Sequence, residues 1–118
     1  KECKMLGINL SESSLRNVLF DNCILNLSAF GFSNMIQVKF DNCSLTNADC
    51  YECKFSKVMF VKCDLDEVNF SRTPLKGIDL SSSTYRRLSL SLEDLKGCVV
   101  SPDQAIGFAA MIGLKIKE

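Results

Sequence analysis

The sequence has no histidine and no tryptophan among its 118 residues, and it has only two prolines. Histidine is the side chain that most often transfers protons in enzyme active sites, because its pKa lies near neutral pH. It is also the commonest metal ligand among protein side chains. We therefore expect a protein that is not an enzyme and that holds neither a cofactor nor a metal ion.

An excess of charge is also lacking, since 14 basic side chains balance 14 acidic ones. A protein that binds nucleic acid is usually basic, so we expect no direct nucleic-acid binding. Apolar runs extend over only a few residues, whereas a membrane-spanning helix needs about 20. No signal peptide is visible either. From the short apolar runs and the missing signal peptide, we expect that the protein does not interact with a membrane.

The sequence does contain an apolar or weakly polar residue at every fifth position. A second set, mostly of small residues, lies two positions before each of these. A helix needs apolar spacing near 3.6 and a half-buried strand needs spacing of 2, so a sustained period of five predicts a repeat architecture. The nineteen residues of this five-residue series are Met5, Leu10, Leu15, Phe20, Leu25, Phe30, Met35, Phe40, Leu45, Cys50, Phe55, Phe60, Leu65, Phe70, Leu75, Leu80, Tyr85, Leu90 and Leu95.

A longer period of twenty residues overlies the five. Residues 18–25, 38–45 and 58–65 read VLFDNCIL, VKFDNCSL and VMFVKCDL. Four pentapeptides therefore form one coil of four short sides, and each side points two residues inward. Like coils stack through parallel-strand hydrogen bonds. The predicted fold is an all-β solenoid over residues 1–100. Because the chain starts at Lys1 already in register, we expect it to lack an N-terminal portion of the whole protein.

All seven cysteines fall on inward positions of this pattern, which predicts small core residues. Only Cys50 and Cys53 have CxxC spacing, and no second pair or histidine joins them to make a zinc motif. Side chains stacked in parallel have poor disulfide geometry. We therefore expect seven free thiols and a reducing, cytoplasmic location. The other five are Cys3, Cys23, Cys43, Cys63 and Cys98.

The series ends with a helix signal. Glu93 places a carboxylate at an inward position, and Ser101-Pro102-Asp103-Gln104 follows as a capping box with proline at the first helical position. We predict a helix to about Ile112, stopped by Gly113, and an edge strand over residues 114–117. Residues 101–118 would cap the last coil, because an open β-helix end exposes unpaired backbone groups.

This helix is more apolar than a cap requires, since no charged residue lies between Ala105 and Ile112. One face can cover the coil, and a second apolar face indicates a partner chain. We expect a homodimer through this end. The residues predicted to form it are Tyr85, Ala105, Phe108, Ala109 and Ile112.

The motifs that carry a family resemblance are Ala48-Asp49-Cys50, Cys63-Asp64-Leu65, Val68-Asn69-Phe70 and Ile78-Asp79-Leu80. They resemble the signature Ala-Asp/Asn-Leu-x-x of pentapeptide-repeat proteins, over residues 3 to about 98. The resemblance implies a right-handed quadrilateral β-helix. The stretch from Leu95 to Ala105 is also similar to the ends of Qnr-type quinolone-resistance proteins, which have a capping helix and a C-terminal dimer contact.

The Qnr resemblance implies a protein that mimics DNA, binds DNA gyrase or topoisomerase IV, and protects it against quinolones. Carboxylates at regular steps along a rod can imitate the phosphates of a duplex. Two alternatives stay open: these carboxylates are ordinary solvated charges, and the protein is a non-catalytic interaction scaffold with an unrelated partner. The predicted contact residues are Asp21, Asp41, Asp49, Glu52, Asp64, Asp66 and Glu67.

Overall fold

The structure is a computed structural model that describes residues 3–115 and 117. It is a right-handed, four-sided β-helix followed by one α-helix, as predicted. The molecule measures 44 × 23 × 21 Å. No helix within the described part of the chain is both long and apolar enough to span a membrane.

Every strand pairs in parallel with the equivalent strand one coil away. The strands are β1 (Cys3–Lys4), β2 (Ser14–Asp21), β3 (Cys23–Ile24), β4 (Asn34–Asp41), β5 (Lys54–Ser56) and β6 (Met59–Val61). Strand β1 pairs with β3, and β4 pairs with β2, β5 and β6. The register advances by twenty residues throughout, as in the pairing of Phe20 with Phe40 and of Phe40 with Phe60. Single bridges with the same offset continue the ladder to Val99.

The corners of the coils are formed by residues in the left-handed region of backbone space. From Gly7 to Gly77, every fifth residue has a φ angle between +51° and +79°. At many corners an amide closes the turn, as where Ala48 donates to the carbonyl of Leu45 at 2.9 Å. Only glycine and asparagine adopt this conformation readily, so the stacked ladder holds residues such as Leu27 and Phe32 in it.

The core consists of the two inward residues of each side. Phe30, Met35, Leu65, Phe70 and Leu80 have no exposed surface. Like residues stack on like along the axis: the Phe20, Phe40 and Phe60 rings lie parallel, with centroids 4.9 and 5.2 Å apart. The inward pattern predicted from the five-residue series is therefore confirmed through the central coils.

The prediction of seven free thiols is wrong for two cysteines. Cys3 and Cys23 form a disulfide between equivalent positions of adjacent coils, and their Cα atoms are 4.6 Å apart. That separation lies within the range that a disulfide spans, so parallel stacking does not keep the two sulfur atoms apart. The remaining cysteines are free thiols: Cys43, Cys50, Cys53, Cys63 and Cys98.

The C-terminal region departs from the coil where Glu93 occurs. Residues Leu92–Leu95 form a short 3₁₀ helix, and Glu93 is exposed. The prediction that this carboxylate points inward is wrong, because an unpaired buried charge is costly and the local turn delivers it to water. Helix α1 (Pro102–Met111) then begins with the predicted capping box at Ser101 and Gln104.

The predicted end of the helix is also confirmed. Gly113 has a φ angle of +85°, and its amide bonds the carbonyl of Ala110 while the Leu114 amide bonds that of Ala109. This pair of bonds is a Schellman motif. The predicted edge strand is wrong at residues 114, 115 and 117, which have no strand structure. Ile116 lies outside the described residues.

Candidate functional site

The outward residues of the β-helix form four flat sides along the rod. Within one side, equivalent positions of successive coils lie about 4.8 Å apart. The acidic residues predicted as contacts lie on three adjacent sides. Asp21 and Asp41 share one column and pair directly in the ladder, whereas the other five occupy separate positions. The rod therefore carries one short acidic column rather than several long ones.

Among the described residues, ion pairs join four of these seven carboxylates to a basic side chain. Lys39 lies 4.0 Å from Asp41, Arg72 lies 3.5 Å from Glu52 and Arg87 lies 3.7 Å from Glu67. The shortest pair joins Arg86 to Asp66 at 2.8 Å. Because each cation offsets the charge beside it, the three acidic sides present less negative potential than their composition indicates.

Asp66 is removed from the contact surface by its own bonds. Only 8% of the residue is exposed. One carboxylate oxygen accepts the backbone amides of Arg86 and Arg87 at 3.0 and 3.2 Å, and the other accepts two bonds from the Arg86 guanidinium. These hydrogen bonds, led by those from the Arg86 side chain, lower the pKa of Asp66. Asp66 therefore joins two coils, and we exclude it from the candidate contacts.

The remaining predicted acids accept local hydrogen bonds, and Asp49 and Asp64 have no ion pair to a basic residue within the described part of the chain. Asp49 accepts the backbone amide of Tyr51 at 3.1 Å and the side-chain amide of Asn69 at 3.3 Å. Asp64 accepts the amide of Asp66 at 3.1 Å, and Asp21 accepts the side-chain amide of Asn22 at 3.1 Å. These bonds fix the orientation of the carboxylates and leave their charge in place.

The fourth side of the rod is basic. It comprises residues 13–17, 33–37, 53–57, 73–77 and 93–97, and we call it the basic side. None of its cations has a carboxylate within 4.0 Å among the described residues, in contrast to the four ion pairs of the other sides. Its exposed cations are Arg16, Lys54, Lys57, Lys76 and Lys96.

The capping helix is attached to the last coil through Gln104. Its side-chain nitrogen donates to the carbonyl oxygens of Leu80 at 2.8 Å and Ser83 at 3.0 Å. Its side-chain oxygen accepts the Ser101 amide at 2.9 Å. One residue thus closes the helix start and satisfies two carbonyls at the open end of the β-helix.

The predicted dimer residues do not share one surface. Tyr85 and Phe108 pack against the core, with ring centroids 6.1 Å apart, so they join the helix to its own coil. Burial and the nearby Cys98 raise the pKa of Tyr85, whose buried hydroxyl has no hydrogen-bond partner among the residues that the structure describes. Ala105 and Ile112 are exposed, and Ala109 is half-buried.

Three further apolar residues at this end were missed by the sequence prediction. Ile106, Met111 and Leu114 are each more than half exposed, as is Ile112. Helical spacing carried the signal for Ile106: if Gln104 and Phe108 face the coil, a residue midway between them faces away. We call Ile106, Met111, Ile112 and Leu114 the apolar cap surface. Beside it, a cleft of about 500 Å³ opens between α1 and the last coil, lined by Arg86, Leu88 and Met111 among others.

Four of the free thiols are buried in the core, and that of Cys98 is half-buried against it. The Sγ atoms of Cys43 and Cys63 donate to the carbonyls of Phe20 and Phe40 at 3.1 and 3.2 Å. The hydrogen bond from Cys63 lowers the pKa of Cys43 to about 7 and, with burial, raises the pKa of Cys63. Within the described residues, no group of three or more His, Cys, Asp or Glu side chains could hold a metal ion.

Comparison with known proteins gives two kinds of match. Residues 33–101 match the family described as the pentapeptide repeat region. The uncharacterized protein YisX of Bacillus subtilis (strain 168) is 40% identical over 116 residues, which is 98% of this chain and 55% of YisX. The chain therefore spans about half the length of this curated relative.

Solved structures of the same architecture are similar at low sequence identity. A pentapeptide repeat protein from the Arabidopsis thaliana thylakoid lumen has a TM-score of 0.58 at 16% identity, over 87% of this chain and 78% of that one. Rfr23 from the cyanobacterium Cyanothece 51142 has a TM-score of 0.54 at 15% identity, over 83% and 60%. QnrB1, a plasmid-mediated fluoroquinolone resistance protein, aligns at a TM-score of 0.43 and 14% identity, over 94% and 81%.

Proposed function

Because this chain belongs to the pentapeptide repeat family, we propose that it is a non-catalytic protein-binding module that associates with a second copy through its C-terminal cap. The residues 1–100 form the β-helix of this proposal, and residues 101–118 form its capping and dimerising unit. The described surface offers carboxylates, cations and apolar side chains on flat or convex faces, which suit protein contacts better than enclosed chemistry.

The observation that supports self-association is the apolar cap surface. Four large apolar side chains are more than half exposed on and just after one short helix, and α1 has no buried residue. Exposed apolar side chains concentrated on one element in this way mark interaction sites. In a two-fold dimer the same patch meets itself, and the neighbouring cleft of about 500 Å³ gives a side chain from the second copy a place to insert.

Light scattering after size exclusion tests this proposal. We expect the wild-type chain to have the mass of a dimer and Ile106→Glu with Ile112→Glu to have that of a monomer, because buried carboxylates without partners oppose association. Leu19→Glu is the matched control, since Leu19 is equally exposed on a side of the β-helix, and it should remain dimeric. A monomeric wild type at high concentration contradicts the proposal.

The second candidate function is binding to DNA gyrase or topoisomerase IV by DNA mimicry, with protection against quinolones. The aligned column of Asp21 and Asp41 supports it, as do Asp49 and Asp64, which have no ion pair in the described structure. The pairing of Glu52 and Glu67 with arginines weakens it, and the longer ion pair of Asp41 with Lys39 at 4.0 Å offsets part of the charge of the column. Mimicry would then involve Asp21, Asp41, Asp49 and Asp64 more than the other predicted contacts.

A gyrase supercoiling assay with ciprofloxacin tests mimicry directly. Mimicry predicts that the protein inhibits supercoiling or restores it in the presence of the drug, and that Asp21→Asn with Asp41→Asn reduces this effect. Asp103→Asn removes an exposed carboxylate on the cap and should act like wild type. If the wild-type protein neither inhibits gyrase nor relieves the drug, the unrelated-partner scaffold is the better reading.

The proposed location is the cytoplasm. Five free thiols support it, because oxidising compartments pair most cysteines. The disulfide between Cys3 and Cys23 is the opposing observation. Fractionation of cells that express the whole protein from its own gene shows whether the protein lies in the cytoplasm or in an oxidising compartment.

A further inference from the structure

The basic side differs from the others in how its charges are distributed. At its C-terminal end, Lys76 and Lys96 share a shallow depression with Glu93 and Asp94, so two carboxylates offset two ammonium groups there. Nearer the N-terminus, Arg16, Lys54 and Lys57 have no carboxylate on their own side. The net positive charge of this side is therefore concentrated on its first three coils.

A groove lies between these cations. It has a volume of about 290 Å³ and is lined by outward residues of β2, β4 and β5, together with Leu15, Met35 and Phe55. Arg16 lies on one rim in the first coil, and Lys54 lies on the opposite rim in the third. The column partner of Arg16 in the second coil is Ile36, which is half-buried. The column partner of Lys54 in the second coil is Asn34, which is exposed, so the groove has cations at two opposite corners and one outward apolar side chain, Ile36, between them.

We propose that this groove binds an acidic, extended segment of a partner protein. Two coil steps separate Arg16 from Lys54 by about 10 Å along the axis, and the two cations lie diagonally because their columns are two residues apart across the groove. An extended peptide advances about 3.3 Å per residue, so two carboxylates three residues apart match the two cations. An apolar side chain between them would lie on Ile36. A nucleic-acid backbone supplies the anions but no aliphatic group for the centre of the groove.

This inference deepens the proposed function, because it names a partner chemistry for a protein-binding module. It uses neither the apolar cap surface nor the column of Asp21 and Asp41. If the groove does not bind an acidic peptide, the proposals of a dimer and of gyrase binding are therefore unaffected. If the dimer or gyrase experiment fails, the proposal for the groove is likewise unaffected.

Fluorescence anisotropy of the full chain with a labelled peptide tests the proposal. The peptide carries two aspartates three residues apart with a leucine between them, and a second peptide has lysines in place of the aspartates. We expect the acidic peptide to bind at concentrations up to about 1 mM, the weak end of specific affinity, and the basic peptide not to bind. Affinity for the acidic peptide should fall as salt rises.

Charge reversal locates the binding site. Arg16→Glu with Lys54→Glu should weaken binding about tenfold or more, because two attractive contacts become repulsive. Ile36→Glu places a carboxylate in the middle of the groove and should likewise weaken binding about tenfold or more. Lys62→Glu reverses an exposed charge on a neighbouring side and should change affinity less than about twofold. Unchanged circular dichroism and melting of each variant confirm that it is folded.

Three outcomes overturn the inference. The first is no binding of the acidic peptide by the wild-type chain. The second is equal binding by the groove variants and by Lys62→Glu. The third is tighter binding of a labelled single-stranded oligonucleotide than of the peptide, which assigns the groove to a phosphate backbone instead.

Discussion

Gln104 donates a hydrogen bond of 2.8 Å to the carbonyl oxygen of Leu80, across 24 residues of sequence. The Leu80 carbonyl also accepts the backbone amide of Ser83 at 3.1 Å, so the bond from Gln104 is a second one that links the helix to the coil. The same side chain also bonds Ser83 and Ser101. The helix start and the end of the β-helix therefore form one cooperative unit.

Gln104→Ala should destabilise the protein by about 1–3 kcal/mol, because it leaves the Ser83 carbonyl without this donor and removes one of the two bonds to the Leu80 carbonyl. For a domain of this size the melting temperature should fall by about 10 °C. Thermal unfolding followed by circular dichroism measures the change. Asp103→Asn, one residue earlier and exposed, should melt within a few degrees of wild type. Equal melting of Gln104→Ala and wild type would show that the bonds to Leu80 and Ser83 contribute little.

Because Cys3 and Cys23 form a disulfide, an alkylating reagent should modify five cysteines in the unfolded, unreduced chain. After reduction it should modify all seven. Mass spectrometry of the alkylated protein gives the number. Cys3→Ser frees Cys23, so that variant should show six modified cysteines with or without reductant. Seven modified cysteines in the unreduced wild type would contradict the disulfide. Because the bond closes a loop of about twenty residues, its reduction should cost roughly 3 kcal/mol.

Stability should fall in acid partly through Asp66. Its pKa is lowered in the folded state, first by the Arg86 side chain, so the carboxylate stabilises the fold at neutral pH. This contribution is present above the unfolded pKa of about 3.9 and is lost as pH falls through the lower folded value. Urea unfolding at pH 7 and pH 3 measures the loss.

Asp66→Asn is the informative variant for that pH dependence. It should be less stable than wild type at pH 7, and the difference should shrink at pH 3, because the carboxyl of the unfolded wild-type chain is then mostly protonated. Glu67→Gln is the matched control, since Glu67 is exposed and 3.7 Å from Arg87, and it should change stability little. An undiminished difference between Asp66→Asn and wild type at pH 3 would rule out the ionised carboxylate as the cause.

Two glycine substitutions should have opposite effects. A Cβ atom at Gly97 would lie 2.9 Å from Cγ of Lys76, and its φ angle is +81°, so Gly97→Ala should destabilise by about 1 kcal/mol or more. Gly107 lies within α1 and has open space around it, so Gly107→Ala should stabilise by about 0.5–1 kcal/mol. Chemical denaturation of both variants measures the signs. A destabilised Gly107→Ala would show that this position contacts another chain.

Much of the fold was predictable because each element depended on local or periodic signals. The inward positions follow from the period of five, the coil from the period of twenty, and the helix bounds from Ser101, Gln104 and Gly113. The sequence predicts that Glu93 breaks the five-residue series, but the predicted inward orientation of its side chain is wrong. The backbone at Glu93 departs from the repeat geometry, and this exposes the carboxylate to water. The period of the sequence does not predict such a local change in backbone conformation.

By itself, the sequence determined which residues of the regular coils face inward, how those coils stack and where the helix begins, since these depend on spacing and local hydrogen bonding. The tertiary structure decided which outward charges remain available. Asp66 and Asp64 look alike in the sequence, yet Arg86 of the next coil binds only Asp66. Three further features also involve residues of separate coils. They are the disulfide of Cys3, the attachment of Gln104 to Leu80, and the groove between Arg16 and Lys54. Such contacts depend on distances across the stack, which spacing along the chain does not specify.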